Sequence, residues 1–189
     1  ANSVNQEILI KYKQLENDNK RLREILSLQK VSQSETLSAA VIARKTGNWW
    51  SQIVLNKGSK DGVKVGSAVV GPGGLLGRIN NTSFFTSSVI LLSSPESKVG
   101  VWLDRIQTHG LLVGLGDDHP KLIFFTKDVD VKVGDIVSSS PASTLLPPNI
   151  PVGVIQSLDG NLNSTKTALV NLLGKPQAID WVQILKLEF

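Results

Sequence analysis

Along the opening stretch the apolar positions recur with a helical period. Ile8, Leu15 and Leu22 repeat every seven residues, and Tyr12 and Leu26 fall four after Ile8 and Leu22. From Asn5 to Lys30 there is no Gly and no Pro, and most residues are strong helix formers. The stripe fits the d and a positions of a heptad, with Gln29 continuing the d series less well. Glu7, Lys11, Lys13, Glu16, Asp18 and Glu24 fall on the flanks. Asn19 takes a core a position, where a buried amide is satisfied by meeting another Asn across a parallel dimer. The pattern predicts a coiled-coil homodimer through Ile8, Tyr12, Leu15, Asn19, Leu22 and Leu26. A helix packed on the rest of its own chain is the alternative. The stripe covers roughly three to four heptads, so the piece is marginal as an isolated helix.

After Ser32-Gln33-Ser34 the period changes. Val, Ile and Thr rise, and Gly and Pro punctuate the chain about every eight to twelve residues, which reads as short strands in a sandwich or barrel. The pattern also repeats. Val63-Lys64-Val65-Gly66 returns as Val131-Lys132-Val133-Gly134, with Asp61 and Asp130 just upstream. Gly74–Ile79 finds a counterpart in Ile150–Ile155, and Leu91–Pro95 in Leu172–Pro176. Val99–Leu103 is matched to Trp181–Leu185. Matches in one order indicate a duplicated unit of about 70–80 residues. The expected fold is mainly β: a coiled-coil helix, then two small six-stranded antiparallel barrels related by internal duplication. Closure removes the exposed edges of such short sheets. The expected domains are residues 1–35, 36–105 and 106–189, with a final strand that can return to the first barrel.

Composition narrows the chemistry. The net charge is +4 and the pI near 9.4, but Lys and Arg are scattered rather than clustered, which reads as a mildly basic soluble surface. The absence of cysteine removes disulfides, thiolate metal sites and Cys nucleophiles together. No run of about eighteen apolar residues occurs, so nothing here reads as a membrane-spanning helix. The abrupt opening on Ala1-Asn2-Ser3 and the lack of any Met suggest a fragment whose natural N-terminus has been removed.

The motifs in sequence resemble the MreC family. A helix leads into Ala40-Val41-Ile42, then Trp50–Val63, a Gly-Leu-x-Gly-x-Ile element at 74–79, Gly134-Asp135-Ile136-Val137, and Pro147–Gly153. Asn149 stands where the family usually has Gly, a residue type that tolerates left-handed backbone. The resemblance covers essentially the whole chain, least closely at 174–189. It implies a membrane-anchored, extracytoplasmic scaffold of bacterial cell elongation, whose anchor would lie upstream. It implies a helix-mediated homodimer and barrels that hold a class B penicillin-binding protein, the elongation transpeptidase. Through MreD it implies a link to the actin-like MreB system.

The family's barrel pair is chymotrypsin-like, so hydrolytic chemistry has to be weighed. That chemistry needs a His, an orienting Asp and a Ser on a Gly-rich oxyanion turn. Only His109 and His119 exist, both near the start of the second repeat, and no Gly-x-Ser-x-Gly occurs. Both read as loop histidines. Asp117-Asp118-His119 lacks the second cluster that a metal shell needs. Gly71-Pro72-Gly73-Gly74 lacks the Gly-Lys-Ser or Gly-Lys-Thr of a phosphate loop and reads as a hairpin turn. The sequence therefore predicts neither catalysis nor a cofactor.

A partner surface remains. In a strand, adjacent residues face opposite sides, so one Phe of Phe84-Phe85 and of Phe124-Phe125 is expected to leave the core. Leu145-Leu146 beside Pro147-Pro148 poses the same problem. The candidate partner-binding residues are Phe124, Phe125, Leu145, Leu146 and Ile150, with burial against the neighbouring barrel as the bland alternative. Two other functions share some features. An efflux adaptor also joins helix and β modules, but its helical hairpin is usually inserted rather than terminal. An oligonucleotide-binding barrel needs aromatics interleaved with basic residues, and only Trp49-Trp50 near Arg44-Lys45 offers that.

Overall fold

A computed structural model describes residues 2–25, 36–44, 52–126, 128–143, 146–159 and 166–185, with helix side chains over 6–18. The chain divides into two units, 1–33 and 34–189. The first unit is a helix, α1, over Asn2–Ile25. It begins before Asn5, and residues 26–30 of the expected helix lie outside the described residues.

The second unit is built from strands β1 (Thr36–Arg44), β2 (Gln52–Leu55), β3 (Ala68–Gly71), β4 (Gly74–Thr82), β5 (Ser87–Leu91) and β6 (Lys98–Leu103). These are followed by β7 (Thr108–Val113), β8 (Lys121–Phe124), β9 (Ile136–Ser139), β10 (Pro151–Asp159), β11 (Thr167–Leu172) and β12 (Trp181–Leu185). They close into two antiparallel six-stranded barrels. The first runs β1-β12-β3-β4-β5-β2, and the second, read from β7, runs β7-β6-β9-β10-β11-β8. Period-two burial drives both closures. β6 reads exposed-buried in strict alternation through Val99, Val101 and Leu103, so one face of each strand must find a core.

The two orders are identical when each strand is named by its place in its repeat, except that the sixth strands have changed places. β6, the last strand of the first repeat, closes the second barrel between β7 and β9. β12, the last strand of the second repeat, closes the first barrel between β1 and β3. A domain boundary at 105 is therefore corrected: β6 belongs to the second barrel, although it belongs to the first repeat. The last sequence match also shifts by one residue. Burial alternates alike when Lys98–Trp102, not Val99–Leu103, is laid on Trp181–Leu185. Matching by residue type had overlooked the side-to-side parity of the strand.

The two crossings between barrels are themselves fixed. In the first, Leu92, Ser93, Ser94 and Ser97 are buried. Gly116 N–H donates to the Ser93 carbonyl at 2.7 Å and Ser97 N–H to that of Ser94 at 2.8 Å. In the second, Leu173 N–H donates to the Val152 carbonyl at 3.1 Å, and Ile179 is buried in the first barrel's core. The seam is apolar: Ala68, Leu75 and Leu185 of the first barrel pack in one cluster with Val101, Leu112, Phe124 and Val152 of the second. The Gly73–Gly74 turn abuts the second barrel so closely that a Cβ at Gly74 would lie 2.1 Å from the Pro151 carbonyl oxygen. Gly74 also has φ +134°, which only Gly adopts at no cost.

Smaller expectations are met at the turns. Gly66 and Gly134, which end the two Val-Lys-Val-Gly turns, have φ 92° and 94°. In both turns the first Val is buried and the second exposed: Val63 and Val131 against Val65 and Val133. Asn149 takes left-handed backbone at φ 62°.

Each barrel is closed by the other repeat, so the unit is expected to unfold in one step. Fluorescence and circular dichroism should give coincident urea transitions, and Ile184→Ala should lower their common stability by about 2–5 kcal/mol. Ending the chain at Asp180 should destroy the transition altogether. Two separate transitions would show barrels that are stable independently.

Candidate partner-binding surface

The β8 strand decides which phenylalanine is available. Leu122 and Phe124 point inward and are completely buried, while Lys121 and Ile123 alternate outward and are half-buried. Phe125, the next residue, is 70% exposed. Two expected partner residues are thereby corrected. Phe124 is the largest side chain fully buried in the core, and Leu146 is 6% exposed. The 146–150 loop is drawn inward by Ser139, whose hydroxyl donates to the Pro147 carbonyl at 2.6 Å and accepts from Ile150 N–H at 2.8 Å. Ile150 is half-buried against the same core. Leu145 lies outside the described residues. In the first barrel, both Phe84 and Phe85 are exposed in the β4–β5 turn rather than divided between core and surface. Their rings pack edge to face at 4.8 Å, and Lys60 Nζ stands 4.4 Å from the Phe85 centroid.

Outward positions of four adjacent strands build an apolar face around Phe125. Leu111 of β7 lies opposite Ile123 of β8, which lies opposite Thr167 of β11. The next row runs from Val113 through Lys121 to Leu169. Leu111, Val113, Ile123 and Leu169 are each half-buried. At the β6 side Trp102 stands opposite His109, their rings 4.4 Å apart. Lys98 and Lys121 are the cations within these rows. The sequence reading missed this face because it looked for adjacent aromatic pairs. The available signal was the outward register of Lys-Leu-Ile-Phe and Thr-Ala-Leu-Val-Asn-Leu, apolar on both sides of the strand.

An ion-pair clamp fixes the neighbouring β6–β7 hairpin. Arg105 reaches buried Asp135 with two parallel bonds, Nε to Oδ1 at 2.6 Å and Nη2 to Oδ2 at 2.8 Å. It also bonds the Asp130 carboxylate at 3.2 Å and the Asp130 carbonyl oxygen. Lys132 N–H donates to Asp135 Oδ2 at 2.8 Å. The Arg105 guanidinium holds the carboxyls of Asp135 and Asp130 below their usual range, and Asp135 in turn raises the Arg105 pKa. Bidentate Arg–carboxylate geometry sets direction as well as charge, so the hairpin is held at a fixed angle to the 130–135 turn.

The predicted dimer stripe is open on α1. Ile8, Tyr12 and Leu15 are 59%, 66% and 69% exposed. For Asn19 and Leu22 the backbone is helical, but their side chains, and all of Leu26, lie outside the described residues. Among the described residues no helix is long and apolar enough to cross a membrane.

His109, expected in a loop, lies on β7 because the hairpin begins at Thr108. Its Nδ1 is 3.0 Å from the Ser140 hydroxyl oxygen, which also accepts from Ala142 N–H at 3.2 Å. No carboxylate among the described residues bonds the ring, so the orienting member of a triad has no counterpart here. Asp117 accepts from His119 N–H at 2.9 Å, and Asp118 from Gln177 Nε2 at 2.9 Å, which turns both carboxylates toward local structure.

Comparison with known proteins adds to this geometry. The family model described as the barrel core of rod shape-determining protein MreC matches residues 41–186. The cell shape-determining protein MreC of Caulobacter vibrioides is 30% identical over 90% of this chain, and the match spans 48% of that protein. The chain thus spans about half the length of that relative. A solved MreC structure from Listeria monocytogenes is 27% identical with TM-score 0.83, covering 95% of this chain and 89% of that one. MreC in complex with the penicillin-binding protein PBP2, from Helicobacter pylori, is 13% identical with TM-score 0.64, covering 81% and 100%.

The clamp makes stability depend on acid. Asp135 has a folded-state pKa below its ordinary value of 3.8. Its contribution is therefore complete above that pH and is lost as pH falls through the lower, folded value. Thermal melts of the intact chain should decline below about pH 4. Asp135→Asn should lower the melting temperature at neutral pH and flatten that decline. An unchanged acid profile would show that the clamp does not stabilise the fold.

Proposed function

The chain belongs to the MreC family of rod shape-determining proteins, and from that premise we propose that it is the extracytoplasmic, non-catalytic part of a cell-elongation scaffold. It dimerises through α1 and holds a class B penicillin-binding protein, the elongation transpeptidase, on its second barrel. MreD and the MreB filament system are reached through the anchored full-length protein. The observation that carries the reading is the apolar outward face of β7, β8 and β11 with Phe125 at its end. A soluble monomer rarely leaves such a face open without a partner. The Helicobacter pylori relative, similar in fold, has been solved with PBP2 bound. Trp102 and Phe125 supply large, stiff apolar surface of the kind that dominates protein interfaces. Lys98 and Lys121 favour a partner with carboxylates around its apolar centre.

The non-catalytic reading is supported by the state of a ring–hydroxyl pair, among the described residues, that resembles a catalytic dyad. His109 and Ser140 lie in one barrel, without a carboxylate among the described residues to orient the ring. The dimer reading is supported by the open stripe of Ile8, Tyr12 and Leu15, whose apolar area has no use in a lone, solvated helix.

Two measurements test the proposal. Phe125→Asp and Ile123→Asp should leave the melting temperature within a few degrees and abolish binding to the purified transpeptidase in surface plasmon resonance. Phe124→Ala, the buried neighbour, should instead destabilise by about 3–5 kcal/mol. Full binding by both Asp variants would place the partner elsewhere. In sedimentation equilibrium the protein should be dimeric, and the Leu15→Asp, Leu22→Asp double variant monomeric with its barrels folded. A monomeric parent at high concentration, unchanged by adding upstream helix, would reject the coiled-coil dimer.

A further inference from the structure

The first barrel carries a concave site that its own closure does not require. It lies on the outward side of β1, β12 and β3, with a volume of about 390 Å³, and its lining includes Ser38, Val70, Gly71, Pro72, Trp181 and Gln183. Register explains the shape. Trp181 lies opposite Ala40, and Gln183 lies opposite Ser38 on one side and Val70 on the other. Small neighbours leave the indole uncovered, and Trp181 is 65% exposed. The lining holds no charged side chain. Asp180, just outside it, is ion-paired with Arg44 at 3.6 Å. The Ser38 and Gln183 side chains are exposed in the lining of the site.

The duplication supplies an internal control. In the second barrel the strand in the same place is β6, where Lys98 answers to Trp181 and Gly100 to Gln183. An indole and an amide are thus not demanded by the barrel. An exposed Trp also gains little burial for the fold.

We propose that this groove binds an uncharged sugar, with the pyranose ring of an N-acetylated hexosamine stacked on Trp181. A pyranose offers an apolar C–H face to a flat indole and hydroxyls at its edge. Ser38 and Gln183 supply the matching donors and acceptors, Gln183 toward an acetamido group, whose methyl rests on Val70 and Pro72. The absence of charge disfavours phosphates, carboxylates and cations. The volume falls in the small-molecule range of about 300–1,000 Å³. A protein interface needs roughly 800 Å² per partner, far more than this hollow offers. An apolar protein surface would also desolvate the Ser38 hydroxyl and the Gln183 amide without offering them partners. This site lies on a different barrel from the docking face and does not depend on that reading.

The test titrates the whole chain with chitotetraose, a neutral N-acetylglucosamine oligomer, followed by tryptophan fluorescence and by amide chemical shifts. A saturable response at millimolar sugar is expected. Trp181→Lys, which copies the residue tolerated in the second barrel, should keep the melting temperature and weaken binding by at least about tenfold. Gln183→Ala should weaken it less, and Trp102→Phe should leave it unchanged. The proposal fails if no saturable response appears, if Trp181→Lys binds as well as the parent, or if shifts map to the second barrel. It also fails if a proline-rich peptide, run in parallel, saturates the groove while the sugar does not. Should Trp181→Lys unfold, Trp181→Phe with Gln183→Ala, judged by the same shifts, decides the matter.

Discussion

Every other feature of the two-barrel unit depends on the exchange of β6 and β12. A six-stranded barrel lacking one strand exposes two rows of unpaired N–H and C=O groups and an open core. Neither repeat can remove that penalty with its own chain in this arrangement, because each repeat's sixth strand is used by the other. Val182 and Ile184 are buried among residues that precede them by more than a hundred positions, such as Val63 and Val69. The apolar seam and the glycine-only approach of Gly74 to Pro151 accompany the same exchange. Where the Gly74 turn meets Pro151 the two barrels leave no room for a Cβ.

Rigidity of this kind suits a surface that must present side chains in register. The inward half of each strand is committed to the cores, and the outward half is released to differ between the copies. In the second barrel that freedom is used for an apolar sheet face around Ile123 and Phe125. In the first it is used for a hollow beside Trp181. The Arg105–Asp135 clamp shows the polar equivalent. Its buried carboxylate is tolerated because the guanidinium and a backbone N–H meet its oxygens.

Much of this architecture was legible in the residues. The heptad stripe, the two Val-Lys-Val-Gly turns and the matched segments Gly74–Ile79 and Ile150–Ile155 gave the helix, the strand count and the duplication. The left-handed backbone at Asn149 could be foreseen from its side chain alone. The return of the final strand β12 to the first barrel was foreseen; the passage of β6 into the second barrel was not. Sequence order assigns β6 to the repeat that contains it, whereas hydrogen bonding assigns it to the other barrel, and no local signal distinguishes the two. The candidate partner face was only partly legible for a related reason. Phe124 and Phe125 are chemically alike, and their fates differ only through the parity of β8. Leu146 was judged by its rigid Pro147-Pro148 neighbours, but the Ser139 hydroxyl folds that loop inward. Trp181 attracted no attention because it was read as a repeat match for an apolar strand.

One pairing has a mechanical meaning. Thr36, where the two-barrel unit begins, lies directly across from Leu185 near its close. The two residues therefore sit side by side, and β1 and β12 run antiparallel away from them. A tension applied between those residues would open the β1–β12 ladder bond by bond, as a zip opens, instead of shearing all its hydrogen bonds together. Such a joint yields at low force.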